Sequence, residues 1–295
     1  MSYNCKIVAD SVAENDCRLT TFEITFPRMI LAEWNTHRVF SRNTASSRAI
    51  PVEKLMKSIQ ESPFIPERFP KNKPGMASTE WLDGEDHIAA EAQWLYARDQ
   101  ALNFAQNLET LQVHKQVANR LLEPFMWVTS VTSSTEWNNF FTLRVNKDLA
   151  DTVETWEEYK IVEDANMRDG RPFPAQPEIQ RVAFEMRRAY LASKPNLLKM
   201  GEWHLPYVTE EEKKEFSSQD RLYLSAGRCG KVSFLTHGES NNPQRDIEIA
   251  RDKMVANKHW SPVEHPATPL IKPNFLGNFR GWKQFRKNFE GESGE

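Results

Sequence analysis

The twelve residues from His37 to Arg48, HRVFSRNTASSR, contain three arginines, one histidine, three serines and one asparagine. Arginine presents a planar fork of N–H donors that matches two phosphate oxygens at once. Serine hydroxyls and the N–H groups of an irregular loop complete an anion cradle. The stretch has the groups to hold a nucleotide phosphate. The same composition also describes an exposed polar loop with solvated arginines. Two further runs concentrate polar groups: Asn139 to Arg144 (NFFTLR) and His259 to His265 (HWSPVEH). For His259 and His265 alone a structural histidine is the default. Metal ligation is a distant alternative, because no second His or carboxylate joins them at helical spacing, and no metal site is expected.

These residues need a scaffold. Arg18 to Phe26, RLTTFEITF, alternates β-branched and aromatic residues and predicts a strand. Pro27 suits the first turn of a short helix over the following residues. Residues 41–50 are too rich in Ser, Asn and Arg for a core helix and read as a loop or a helix start. The proline-rich stretch 61–86 reads as an irregular surface excursion. Between His87 and Leu108 the apolar residues Ile88, Ala92, Leu95, Leu102, Ala105 and Leu108 predict one face of a long amphipathic helix. A second helical block is expected from Val113 to Arg144, broken near Pro124 and the Thr/Ser run 129–135. Residues 146–174 read as an inserted loop or hairpin, and Glu178–Tyr190 as a helix. The connector 194–216 contains a charge run, EEEKK, expected to be a solvated helix face. Asn242 and Pro243 open another helix. The C-terminal NFEGESGE is expected to fray.

The whole chain bounds the function. Its 295 residues, with 17 Phe and 9 Trp, are enough to build a real core. The net charge of −3 disfavours generic nucleic-acid binding, which calls for a basic excess. No apolar run approaches the length of a membrane span, and the N-terminus lacks a leader pattern, so a cytoplasmic protein is expected. Cys5, Cys17 and Cys229 are too few and too scattered for a disulfide framework or a zinc site.

The spacing of the first stretch is more specific than its composition. His37, Arg38, Ser41, Asn43, Ser46 and Arg48, with Trp34 upstream, give HRxxSxNxxSxR, which resembles the RHRxxSxNxxSxR signature of flavin-dependent thymidylate synthases. The first signature arginine is here Thr36. Further blocks resemble the same family: Arg120 in KQVANRLLEP, NFFTLR at 139–144, AQPEI at 175–179, SAGRCGKVSF at 225–234 and HWSPVEH at 259–265. The last two precede the signature in ordinary members and follow everything else here, so the order resembles a circular permutation, with 222–287 standing for the family's N-terminal segment. Residues 278–286 resemble the segment before the signature, as do residues 22–38; a generic amphipathic helix is the alternative for 278–286.

The resemblance implies an α+β fold of mixed helices and an antiparallel sheet. One catalytic domain would span 1–295, with insertions near 61–86, 146–174 and 194–216. It implies FAD as cofactor, NADPH and methylenetetrahydrofolate as co-substrates, and methylation at C5 of dUMP. Ser46, Arg48, Arg120 and Arg144 would hold the nucleotide, with Arg144 and Ser46 at the chemistry. Glu33 stands where the family has a Gln near the nucleotide. His37, Arg38, Asn139, Ser233, His259, Ser261 and Glu264 match positions around FAD. A homotetramer is implied, because the family's active site is shared between subunits, with no membrane and no obligate nucleic-acid partner. Thr36 and the run Ser133-Ser134-Thr135, which replaces the family's Asn-Ala-Arg, leave open a related C5 methyl- or hydroxymethyltransferase acting on dUMP or dCMP. They also leave open a non-catalytic protein that binds nucleotides or single-stranded nucleic acid.

Overall fold

The computed structural model describes residues 2–74, 78, 80–168, 175–234 and 242–292. The chain opens with a hairpin of β1 (Asn4–Ala13) and β2 (Arg18–Pro27). A one-turn helix, α1 (Leu31–Asn35), leads to β3 (Ser41–Thr44) and α2 (Val52–Glu61). The long α3 (Gly84–Thr110), short α4 (Lys115–Ala118) and a 3-10 segment (Asn119–Phe125) lead into β4 (Trp127–Ser134). Then come α5 (Asn138–Arg144), α6 (Lys147–Ala150), α7 (Trp156–Arg168) and α8 (Pro177–Ala192), and β5 (Asn196–Leu198). The C-terminal part holds α9 (Glu210–Glu215), α10 (Ser218–Lys231) and α11 (Pro243–Glu248), which continues as a π-helical turn (Ile249–Val255). It closes with the short strands β6 (Ala267–Pro269), β7 (Phe275–Leu276), β8 (Phe279–Arg280) and β9 (Trp282–Gln284).

The main sheet has the order β3-β4-β2-β1-β5; every neighbouring pair is antiparallel except β1 with β5. β2 lies inside this sheet and is buried along most of its length. Phe22, Ile24 and Phe26 turn to a core shared with Trp34, Phe40, Phe140, Phe141, Ile179, Val182 and Phe184, which seats α1, α5 and α8 on that face. Val131 turns the other way, to Cys229 and Val232 of α10 and the turn after it. Leu19 joins Phe279 and Trp282 of the last strands. The chain is thus a mixed α+β protein with an antiparallel-dominated sheet covered on both faces.

The structure corrects several sequence expectations. Residues 41–44 form an edge strand paired with β4, from Ser41 opposite Ser133 to Thr44 opposite Ser130, and not a loop or helix start. Backbone pairing with β4 satisfies a segment whose side chains carry no helical signal. The expected helical block 113–144 is interrupted by β4; its Val, Thr and Ser residues are β-branched or small and fill a strand between two others. Residues 146–168 form α6 and α7, not a hairpin; residues 169–174 lie outside the described residues. On α3 only Leu102 and Ala105 are buried, and Ile88 is 67% exposed, so the apolar stripe is covered at one end alone. Residues 278–286 form β8, β9 and a turn, which overturns the amphipathic-helix alternative. The tail is anchored as far as Glu292, which accepts from Arg286 and Lys287.

The charge run at 210–214 is only partly solvated. Thr209 and Glu212 form a reciprocal capping box at the start of α9. Glu212 then turns inward to Arg228 of α10, whose guanidinium donates to both of its carboxylate oxygens at 2.6 and 2.5 Å. Asp246, fully buried, receives Lys231 and lies 3.5 Å from Arg228 Nε. The strands and helices expected at 18–26 and 178–190, and the start at Asn242-Pro243, are present.

Candidate functional site

The sequence-predicted residues gather in three neighbourhoods around β3. In the first, α1, the C-terminus of α5 and the start of α8 converge on a cavity of about 580 Å³. Glu33 and Arg144 line it, together with Met29, Trp94, Gln176 and Glu178. Its roof is the 61–86 excursion, which contributes Arg68, Phe69 and Trp81. That roof is tied to α7 and α8. Arg68 pairs with Asp164, and Trp81 Nε1 donates to the same carboxylate at 3.2 Å. Glu67 accepts from Trp156 Nε1 at 3.0 Å and from Lys160 at 3.2 Å, and pairs with Arg181.

Two side chains of the lining carry a buried polar atom with no partner among the described residues, Glu33 Oε2 and Arg144 Nε; His37 Nε2, outside the lining, is a third such atom. Buried polar groups without partners are costly, and two of these belong to residues of the cavity lining. His37 lies against Phe40 and Phe140, with ring centroids 5.4 and 4.9 Å apart. Burial, and then the positive charges of Arg144 and Arg42, lower its pKa to about 4, so its imidazole is neutral near pH 7. Burial also lowers the pKa of Arg144, and the carboxylate of Glu33 works against that shift. Glu33 and Arg144 do not close into an ion pair.

In the second neighbourhood Glu123 collects the basic groups beyond β3. Its Oε1 accepts from Ser47 at 2.6 Å and Arg120 at 2.7 Å, and lies 3.0 Å from Arg28. Asn119 donates to the carbonyls of Ser47 and Ile50 and holds the turn in place. The Ser46 N–H is spent on the Ser233 carbonyl at 3.1 Å. Arg48 is exposed and makes no ion pair among the described residues. Arg42, the second arginine of the signature stretch, is not available to a ligand in the same way. Its guanidinium donates to the carbonyls of Trp34 and His37 at 3.0 and 2.9 Å and braces the loop between them.

The third neighbourhood joins the early and late parts of the chain. The Asn43 amide is oriented so that its oxygen accepts from Ser233 Oγ at 3.2 Å and its nitrogen donates to the Ser261 carbonyl at 3.1 Å. His265, fully buried, packs beside it and bonds Ser133 Oγ at 2.8 Å. Ser133 contacts Thr21 at 2.6 Å, Thr21 contacts His204 Nε2 at 2.8 Å, and His204 Nδ1 reaches Ser11 at 2.9 Å. Burial lowers the pKa of both histidines to about 3, so this file of hydroxyls and imidazoles is uncharged. Glu264 is engaged by Arg286. Arg38, Asn139, His259 and Ser261 are exposed.

Sequence reading missed Arg28, Glu123, Asn119, His204 and Thr21. The i,i+3 spacing of Arg120 and Glu123 is a local signal for one of them. The others meet their partners across 69 residues or more, or lie in strands that carry no motif.

No protein-family model matches the chain and no curated protein matches it. Among solved structures, the UMP/dUMP methylase PolB from Streptomyces cacaoi bound with 5-Br UMP is similar at 15% identity and a TM-score of 0.44, over 64% of this chain and 88% of that one. The same enzyme bound with 5-Br dUMP is similar at 13% identity and a TM-score of 0.40, over 62% and 95%.

Proposed function

We propose that the chain is a pyrimidine deoxynucleotide C5 one-carbon transferase of the flavin-dependent thymidylate synthase type, with dUMP or dCMP as substrate. The observation that carries this reading is the cavity whose lining brings together the carboxylate of Glu33 and the guanidinium of Arg144 with Phe69, Trp81 and Trp94. Aromatic side chains wall it for a planar ring, and donor and acceptor groups stand apart on its lining. Arg144 holds a fixed cation where negative charge builds on the pyrimidine as C5 becomes a nucleophile. Arg48 and Arg120, with Ser46, bind the phosphate.

The permuted order has support of its own. Segments 225–234 and 259–265 come last in sequence, yet Ser233 and Ser261 bond directly to the signature loop at Asn43 and Ser46. The residues assigned to FAD suit such a group. Arg38 and His259 are unspent cationic or polar side chains for a diphosphate, Asn139 and Ser261 add exposed donors, and the buried His37 Nε2 lacks a partner. Asn43 positions Ser233, while Glu264 holds Arg286 in place. When bound, a reduced flavin supplies the hydride that completes the methyl group; methylenetetrahydrofolate supplies the carbon and NADPH the reducing equivalents. A homotetramer belongs to this reading, and the exposed apolar residues Ile88, Tyr96, Phe104 and Leu111 on and after α3 accord with a buried subunit contact.

The test is the visible absorption spectrum of the purified protein with each nucleotide added in turn, followed by product mass. A flavin band perturbed by a pyrimidine deoxynucleotide, and a product heavier by one methyl or hydroxymethyl group, is the expected result. A protein that takes up no FAD and leaves both nucleotides unchanged sinks the proposal.

A further inference from the structure

We infer that Arg28 and Ser47 form an anion seat with Arg120, and that the carboxylate of Glu123 holds this seat until a phosphate monoester displaces it. The inference rests on the reading of the turn at 46–50 as the phosphate end of the nucleotide site.

The donors converge on one point. Ser47 Oγ donates to Glu123 Oε1 at 2.6 Å, Arg120 Nη1 donates to the same oxygen at 2.7 Å, and Arg28 Nη2 lies 3.0 Å from it. A carboxylate oxygen offers two lone pairs, so three donors oversupply it. A phosphate brings three terminal oxygens and a larger negative charge. It matches two guanidinium forks and a hydroxyl better than one carboxylate oxygen does.

The charge around the turn points the same way. Lys115 Nζ donates to the Ala49 carbonyl at 3.1 Å, and Arg48 is exposed within the turn. Four cations, Arg28, Arg48, Lys115 and Arg120, thus gather at one turn. Among the described residues, Glu123 is the one carboxylate that pairs with any of them. Such a cluster repels itself and attracts a polyanion. The side chains of Arg28, Glu123 and Arg120 are 13%, 22% and 49% exposed, so the seat opens to solvent on the Arg120 side. Glu123 leaves by rotation of its own side chain. Until then it partners the mostly buried Arg28, which would be costly as a lone charge. Arg28 stays in place when Glu123 leaves, because its Nη1 also donates to the Ala45 carbonyl at 3.3 Å.

Inorganic phosphate is the probe, because it tests the seat without the base. The full-length protein and its Glu123→Gln variant are titrated calorimetrically with phosphate, in a buffer free of other polyvalent anions. Glu123→Gln should bind phosphate at least about tenfold more tightly, the worth of one charge-assisted hydrogen bond no longer competed for. Adding Arg28→Gln should abolish that gain. Unchanged or weaker binding by a folded Glu123→Gln makes Glu123 a brace for the turn and overturns the inference. If Glu123→Gln does not fold, crystals of the unaltered protein soaked in phosphate decide. Phosphate between Arg28 and Arg120, with Glu123 turned out, supports the seat; Glu123 still bonded to Ser47 overturns it. Titration of both proteins with dUMP and dCMP separates this inference from the reading beneath it. Phosphate bound as expected with neither nucleotide taken up keeps the seat and removes the pyrimidine site. A nucleotide bound equally by both proteins removes the role of Glu123 and keeps the pyrimidine site.

Discussion

Arg144 and Arg48 are both expected at the nucleotide from the sequence, one in the 139–144 run and the other in the 37–48 stretch, and they stand in different surroundings. Arg144 is partly buried beside neutral His37, at the end of α5, where a fixed cation is strongest. Arg144→Ala should lower turnover by about 10² to 10³, the usual cost of one preorganised donor aimed at developing charge, with the melting temperature nearly unchanged. Steady-state rates alongside a thermal melt check it; an equal loss of folding would move the role from chemistry to packing. Arg48 is exposed and unpaired, so Arg48→Ala should raise KM for the nucleotide with little effect on kcat. The buried histidines set the pH response. Burial lowers the pKa of His37, His204 and His265 to about 4, about 3 and about 3 in the folded chain, against 6.5 for an ordinary imidazole. The unfolded chain therefore binds more protons than the folded one below pH 6.5, and folding stability must fall as pH drops from about 6.5 towards 3. It is fully present above that window. Denaturant midpoints measured across pH 3–8 should show this slope, and it should be shallower in a His204→Gln variant. A midpoint independent of pH below 6.5 contradicts the assigned neutrality.

At the scale of elements, α10 shows why two glycines in one helix differ. A Cβ on Gly227 would lie 2.3 Å from the backbone carbonyl oxygen of Asp246, so α10 and α11 approach too closely for any side chain there. A Cβ on Gly230 would meet the terminal methyl of Met254 at 2.1 Å, but that is the far end of a flexible side chain. Gly227→Ala should therefore destabilise by about 1–3 kcal/mol or more through forced backbone displacement. Gly230→Ala should cost less, because Met254 can swing away and alanine recovers up to about 1 kcal/mol of helix propensity. Chemical denaturation of both variants compares them; equal losses would mean that the two helices can slide apart. Between the same elements, Arg228 binds Glu212 and faces Asp246. Removing it leaves the Glu212 carboxylate without its cation, while Asp246 keeps Lys231, and Arg228→Ala should cost about 3–5 kcal/mol.

At the scale of the molecule, the late segments of the chain return to the early ones. Asn15 of the first hairpin donates to the carbonyls of Leu270 and Gly281, and Trp282 Nε1 donates to the Cys17 carbonyl. The excursion at 61–86 returns as the roof of the cavity, held by Asp164 of α7 and, through its own Glu67, by Trp156, Lys160 and Arg181. Cutting its anchor with Glu67→Ala should loosen the roof and weaken nucleotide binding more than it lowers stability, since Arg181 and Lys160 are half-exposed and can be resolvated. Nucleotide titration beside a thermal melt distinguishes the two effects. The assembly reading is checked by sedimentation equilibrium, where a mass of four chains is expected; a monomer at all concentrations would dismiss a site shared between subunits.

The sequence by itself determined the strand at 18–26, the helix at 178–190, the start at Asn242-Pro243 and the grouping of polar residues at 37–48. Each is written in local period, capping or turn chemistry within a few residues. It also marked Glu33, Arg144 and the 61–86 excursion as separate features. Tertiary structure alone decided that these three enclose one cavity, because that depends on α7 and α8 holding the roof. It decided that residues 41–44 are a strand, since an edge strand of Ser, Arg, Asn and Thr takes its identity from the partner it bonds. It decided that Arg42 braces a loop while Arg48 faces solvent, and that Glu212 in an apparently solvated run pairs with Arg228. Composition cannot separate such cases, because a charged side chain carries no record of which distant group will neutralise it.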